Sequence, residues 1–204
     1  STPSFPSSEK RVKSKTPPSM GVRSILKSPV WITVPMGVLI AAAMLSGIEW
    51  FTWMNSTANG RPVVPRTGFI VEFNALWYNA LRFVASCAAE ENSTKDAEHL
   101  EAIAERCKTA FVETFLNDYG YLFDYVDGNM MDWSVRPNMI FAVALDYSPL
   151  NQEQKKSVLD ICTRELLTPK GLRSLSPKSG GYNPMYVGPQ TQRDYAYHQG
   201  TAWP

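Results

Sequence analysis

The stretch "VEFNALWYNALRFVAS", residues 71–86, is apolar on nearly every side when wound as a helix. A surface helix shows a single apolar stripe. One that is apolar all round must be enclosed by other helices. Its polar residues gather near its start, where Glu72 and Asn79 share a stripe with Ala75 or Leu76 at i, i+3/i+4, i+7. The segment therefore reads as an inner helix whose first turn faces something polar.

The next segment, residues 93–116, has the opposite character. Ser93 stands where an N-cap belongs, and Asp96 favours the positive helix end. Leu100, Ile103, Ala104, Cys107 and Phe111 make one apolar face, while Glu98, Glu101, Glu105 and Lys108 make a wet one. The pair then repeats. "RPNMIFAVAL" (136–145) is short and almost wholly apolar, opened by Pro137 in the first turn. "NQEQKKSVLDICTRELL" (151–167) is amphipathic, begins with Asn151 and Gln154 spaced as a capping box, and stops at Pro169 and Gly171. Residues 119–128 read as a loop with a short strand, 176–190 as a Gly/Pro-rich loop, and a further inner helix is expected to start at Ala196. This inner–outer alternation predicts an all-α fold, a ring of helix hairpins whose inner helix starts share a central hollow. A plain helical bundle satisfies the same periodicity.

At the other end, residues 1–27 form a Ser-, Pro- and Lys-rich basic tail expected to be disordered. Residues 28–48, "SPVWITVPMGVLIAAAMLSGI", carry no charge. That length suits a signal anchor, but Pro35 and Gly37 interrupt it, so a buried strand or helix of a soluble core is the expectation and membrane insertion the alternative. A net charge of +1 over 204 residues gives no reason to expect nucleic acid as a partner. Cys87, Cys107 and Cys162 are an odd set without a C-x-x-C, expected as buried reduced thiols in a cytoplasmic protein. No His or Cys falls at ligand spacing with them, so no metal is expected. His99, Lys155 and Lys156 read as parts of solvated faces.

Four polar clusters precede or open the inner helices: "TWMNSTANGRPVVPR" (52–66) with "VEFN", "DWSVRPN" (132–138), "GLRSLSP" (171–177) and "RDYAYHQGTAWP" (193–204). They contain no phosphate loop, nucleophile elbow or zinc motif. Six Trp and nine Tyr beside abundant Asp, Glu, Asn and Arg suit sugars, whose hydroxyls need directional polar partners and whose C–H faces need flat apolar ones. Taken with their flanks, "TWMNSTANGRPVVPRTGFIVEFNALWYNALRF" (52–83), "SVRPNMIFAVAL" (134–145), "LLTPKGLRSLSP" (166–177) and the final cluster resemble consecutive motifs of the amylo-α-1,6-glucosidase domain of bacterial-type glycogen debranching enzymes. The resemblance runs from about residue 47 to 204. It implies a partial (α/α)6 barrel, a six-hairpin toroid fragment over residues 49–204, acting on glycogen or a branched α-glucan without a cofactor.

Inverting glycoside hydrolysis needs an acid and a base carboxyl about 6.5–9.5 Å apart. The family pattern has Thr-Trp-Met-Asp where this chain reads Thr52-Trp53-Met54-Asn55, and that Asp is taken as the general acid. The Asn55 amide does not donate such a proton. The resemblance puts the general base beyond Pro204 and further helices before the chain's start. Glu72 and Asp194 are the carboxylates expected in catalytic roles. Trp53, Asn55, Arg66, Asn74, Trp77, Arg136, Asn138, His198, Gln199 and Trp203 are expected to bind substrate. Alternatives remain open: Arg66 binds hydroxyls or pairs with Glu72; Glu72 accepts hydroxyls, replaces the acid or complements the helix dipole; Trp53 and Trp77 are core residues; Arg136 and Asn138 shape a loop. Asp194 and His198, four apart, are expected to share a helical face and to converge with Glu72 on one sugar ring. Rival readings are a catalytically silent carbohydrate-binding helical protein and a membrane-anchored helical domain. Inner helices without a full ring of neighbours are expected to self-associate, to be poorly soluble, or to be covered by residues 28–48.

Overall fold

The computed structural model describes residues 52–203. The expectations for the basic tail (1–27) and the apolar segment (28–48) lie outside the described residues. Within them, helices carry most of the regular structure: α1 (Val71–Glu90), α2 (Thr94–Phe115), α3 (Ile140–Ala144), α4 (Gln152–Glu165) and α5 (Gln190–Ala196). No helix among the described residues is long and apolar enough to cross a membrane.

α1 and α2 fold back on each other through a three-residue turn. Asn92 takes the left-handed conformation (φ 60°), which lets Ser93 N donate to Ala88 O and Asn92 N to Ala89 O. This closure satisfies the last carbonyls of α1 without glycine. Ser93 does stand at the N-cap of α2, but its hydroxyl goes to the Asp96 carboxylate (2.6 Å) instead of the helix backbone. The Asn151–Gln154 capping box of α4 forms in both directions. Pro137 opens a short 3-10 turn, Pro137–Met139, which runs into α3.

Tyr78, Leu81 and Ala85 of α1 close on Leu100 and Ala104 of α2. A larger core joins Val71 and Ala75 to Phe111, Phe115, Leu122, Met139, Ala142, Val158 and Leu166. Each fully buried Leu, Val, Met or Phe there contributes about 1.5–3 kcal/mol of transfer free energy. Cys162 lies inside this core, where burial pushes its thiol up to about 12. Cys87 and Cys107 are only half-buried, unlike the expected three buried thiols.

Three small antiparallel sheets correct the all-α expectation. A hairpin pairs β1 (Thr57–Ala58) with β2 (Arg61–Pro62), turned by Asn59 (φ 51°) and Gly60 (φ 72°). A second sheet has the order β3 (Phe69–Ile70), β4 (Tyr125–Asp127), β5 (Met130–Met131). The third has β6 (Leu167–Thr168), β7 (Gly171–Arg173) and β8 (Ala202–Trp203). Two further expectations change. α1 is not enclosed among the described residues, because Leu76 is 40% and Phe83 59% exposed. And a helix ends near Ala196 instead of beginning there, since Tyr197 is extended and His198 left-handed.

Candidate functional site

The pairing of β3 with β4 sets the site. Ile70 lies opposite Tyr125, so Asp124 arrives beside the first turn of α1, where Val71 N donates to its carbonyl (3.2 Å). Glu72 stands in that same turn. Gly68 (φ 71°) makes the approach; a Cβ there would run into the Val126 carbonyl. From the preceding loop, Arg66 reaches in between the two carboxylates. Its Nη1 and Nη2 donate to Glu72 Oε1 and Oε2, both at 2.6 Å, and its Nε lies 2.7 Å from Asp124 Oδ2. All three residues are buried. Of the two readings of Arg66, the structure has the ion pair with Glu72.

Arg136 is a second buried cation, with Nε 3.9 Å from Asp124 Oδ2. Two guanidinium groups thus offset two carboxylates in a dry interior, the condition under which buried charge is tolerated. Burial alone would lower Arg66, yet Asp124 and Glu72 beside it hold its pKa raised. Burial lowers Arg136 and outweighs the attraction of Asp124. Burial likewise pushes the Glu72 carboxyl up against the pull of Arg66.

Arg136 also ties this lattice to the chain's last cluster. Its Nη1 donates to the Ser174 carbonyl (3.1 Å) and the His198 carbonyl (2.7 Å), and its Nη2 to Gln199 Oε1 (3.0 Å). Asn138 is buried in the 3-10 turn; its amide donates to Asp124 Oδ1 (2.6 Å) and accepts from Trp53 Nε1 (3.1 Å). Trp53 is therefore oriented yet 43% exposed. Its ring meets that of His198 edge-on at 5.0 Å, and His198 meets Tyr197 at 4.3 Å. Burial, then the cations Arg136 and Arg66, lower His198 to about 4, so its imidazole is neutral at neutral pH. The result is a corner of flat rings with polar edges, held by a charged lattice beneath.

The remaining expected residues fall elsewhere. Asn74 donates to the Ile70 carbonyl (2.8 Å), one turn back in its own helix. Trp77 packs on the α1–α2 seam. Asn55 is exposed in the loop after Trp53. Trp203 pairs its backbone with Leu172. Asp194 is half-buried on α5, in no ion pair among the described residues. It cannot share a helical face with His198, because α5 stops at Ala196 and His198 has φ 61°. Glu72 and His198 are linked through Arg66, Asp124 and Arg136; Asp194 is outside that chain of contacts.

Asp124, the hub, escaped the sequence reading, as did Met54, whose sulfur accepts from Asn138 (3.2 Å). A lone carboxylate inside the apolar run "YLFDYV" was the available signal. Among the described residues no group of three or more His, Cys, Asp or Glu suits a metal ion. A search of the curated proteins finds no match to the chain. A family model described as amylo-alpha-1,6-glucosidase matches residues 36–204, and so takes in every element of the fold and every residue of the lattice. With that match spanning most of its length, the chain belongs to the amylo-α-1,6-glucosidase family.

Proposed function

We propose that the chain forms part of the sugar site of an enzyme that cleaves α-1,6 branch linkages in glycogen or limit dextrin, by inversion, with two carboxyl groups. In this reading α1 and α3 are inner helices and α2 and α4 outer helices of a partial (α/α)6 toroid. The loops before α1 and α3 and the segment after α5 together form one wall of the hollow. The observation that carries the reading is Trp53: half-exposed, fixed by Asn138 and set against His198, its indole offers a glucose C–H face an oriented platform. Gln199 beside Arg136 supplies directional polar contacts. Glu72 spends both oxygens on Arg66, so it acts as a positioning residue. Asp194 is the carboxylate available for proton transfer.

A second reading, a catalytically silent glucan-binding member of the family, is favoured by one observation. Asn55 places an exposed amide where the resemblance expects an acid. Both readings are tested with an α-1,6-branched maltooligosaccharide. Replacing Trp53 by Ala is expected to weaken its binding by about tenfold in titration calorimetry, the loss of one aromatic anchor. Equal affinity in wild type and Trp53→Ala would remove the sugar site from this wall. Glucose release, measured with the chain joined to the further segments that the resemblance implies, separates the two readings: turnover with Asn55 in place supports the enzyme, whereas release only after Asn55→Asp supports the silent binder.

A further inference from the structure

A second concavity adjoins the lattice at Asp132, whose carbonyl accepts from Asp124 N (3.1 Å). It has a volume of about 880 Å³ and is formed by the loops 119–135 and 176–180 with the last turn of α4. That size is within the ~300–1,000 Å³ range of ligand sites. It shares no lining residue with the lattice beneath Trp53.

Its aromatic residues are unusual for a solvent-facing surface. Tyr119 is 77% and Trp133 46% exposed. Their rings are nevertheless held. Trp133 sets its ring edge-to-face with Phe123 at 4.6 Å, Tyr119 meets Trp133 at 6.0 Å, and Tyr119 stacks on Tyr121 at 6.5 Å. The Tyr121 hydroxyl donates to the Trp133 carbonyl (3.1 Å), which closes this loop on itself. The opposite wall is tied across: Ser176 N donates to Val135 O (2.9 Å), and Ser179 Oγ accepts from Val135 N (3.3 Å). The platform is therefore built before any ligand arrives, which spares it an ordering cost.

The polar lining identifies the ligand class. Asp132 and Glu165 face Arg164 and Lys178, so the formal charges cancel. Both cations are engaged by Glu165, with Lys178 Nζ at 2.6 Å and Arg164 Nε at 3.4 Å. A phosphate or nucleotide would meet the Glu165 and Asp132 carboxylates beside those cations, with no net positive charge to draw it. A wholly apolar ligand would leave the carboxylates and hydroxyls of Asp132, Ser134 and Ser176 desolvated. A neutral, polyhydroxylated ligand meets both requirements, since its flat C–H faces cover rings and its hydroxyls bridge charged groups of either sign.

We infer that this concavity is a second sugar site that stacks an unbranched run of α-1,4-linked glucose on Tyr119 and Trp133, separate from the branch point handled at Trp53. The choice of an α-glucan rests on the proposed function; the neutral polyol chemistry rests on the cavity itself.

Titration of the full chain with maltohexaose, and its retardation in native gels cast with glycogen, test this. Trp133→Ala and Tyr119→Ala are each expected to weaken maltohexaose about tenfold and to reduce gel retardation, at unchanged thermal midpoint for the exposed Tyr119. Both variants are expected to leave binding of the branched oligosaccharide at Trp53 within twofold. Wild-type maltohexaose affinity in Tyr119→Ala overturns the second site while the Trp53 reading stands. A wild-type chain that binds neither sugar overturns both. Should Trp133→Ala unfold through loss of its Phe123 contact, Tyr119→Ala alone decides.

Discussion

His198 carries several constraints in one residue. Its backbone is left-handed (φ 61°), a conformation that costs a non-glycine residue about 1–3 kcal/mol. Its residue surface is 2% exposed, and its carbonyl is held by Arg136. The contacts this turn makes, the His198 ring against Trp53 and Gln199 to Arg136, offset the cost. A consequence follows for acid stability. The unfolded imidazole takes up a proton near pH ~6.5. In the fold, burial first and the two arginines second lower it to about 4. Between those values the unfolded chain binds more protons, so stability rises with pH through this window and is lost as pH falls from about 6.5 towards 4. The His198→Asn variant, whose side chain tolerates left-handed backbone, should flatten that slope in urea midpoints measured at pH 7 and pH 4.5. An unchanged slope would place the acid sensitivity elsewhere. Much of this residue-level pattern was out of reach of the sequence. Arg66 and Glu72 lie six apart across a short strand, close enough for their pairing to be offered as one of two readings. Asp124 is 58 positions from Arg66, and no local spacing announces such a contact.

At the scale of elements, the four long or strongly patterned segments were legible because a helix repeats its burial every three to four residues. α2 and α4 keep their charged faces wet as their periodicity requires, and the α4 box forms from the two residues that signal it. Of the strands only the short one expected within residues 119–128 was legible, and it is β4; the others were not. Each is two or three residues long, too short for alternation to register; β1–β2, β4–β5 and β6–β7 are local hairpins, while β3 and β8 form only where a distant strand supplies their ladder. α5 was misplaced for a related reason. Its start follows Pro189, an extended residue with fixed φ, while the aromatic cluster after it looks more helical than the loop before it. The α4 cap offers a clean test of local against site energetics. Asn151→Ala removes the acceptor for Gln154 N and should cost about 1 kcal/mol in urea unfolding. Maltohexaose affinity should not change, because the cavity touches α4 only at Ile161, Arg164 and Glu165, in its last turns. A loss of affinity equal to the loss of stability would show that α4 as a whole holds the cavity open.

At the scale of the molecule, the outstanding feature is the side of α1 that the described residues leave exposed. Its sequence is apolar on nearly every side, yet among the described residues α2 and α3 occupy only part of its circumference. Leu76 and Phe83, seven residues apart, lie on one stripe and are 40% and 59% exposed. In a ring of hairpins such a stripe is where the next inner helix packs. Where no such helix covers it, burying the stripe against a second copy removes the same apolar area from water, at about 25 cal/mol per Å². The chain is therefore expected to associate with itself in a concentration-dependent way in sedimentation velocity. Leu76→Lys with Phe83→Lys should shift it to monomer, and the proposed sugar binding at Trp53 and Trp133 should persist, because neither residue lines the concavity or bonds to the lattice. A wild-type chain that stays monomeric at high concentration, with no gain in solubility from the double substitution, would mean that the stripe is already covered within the chain, and the ring arrangement would then need a different neighbour for α1.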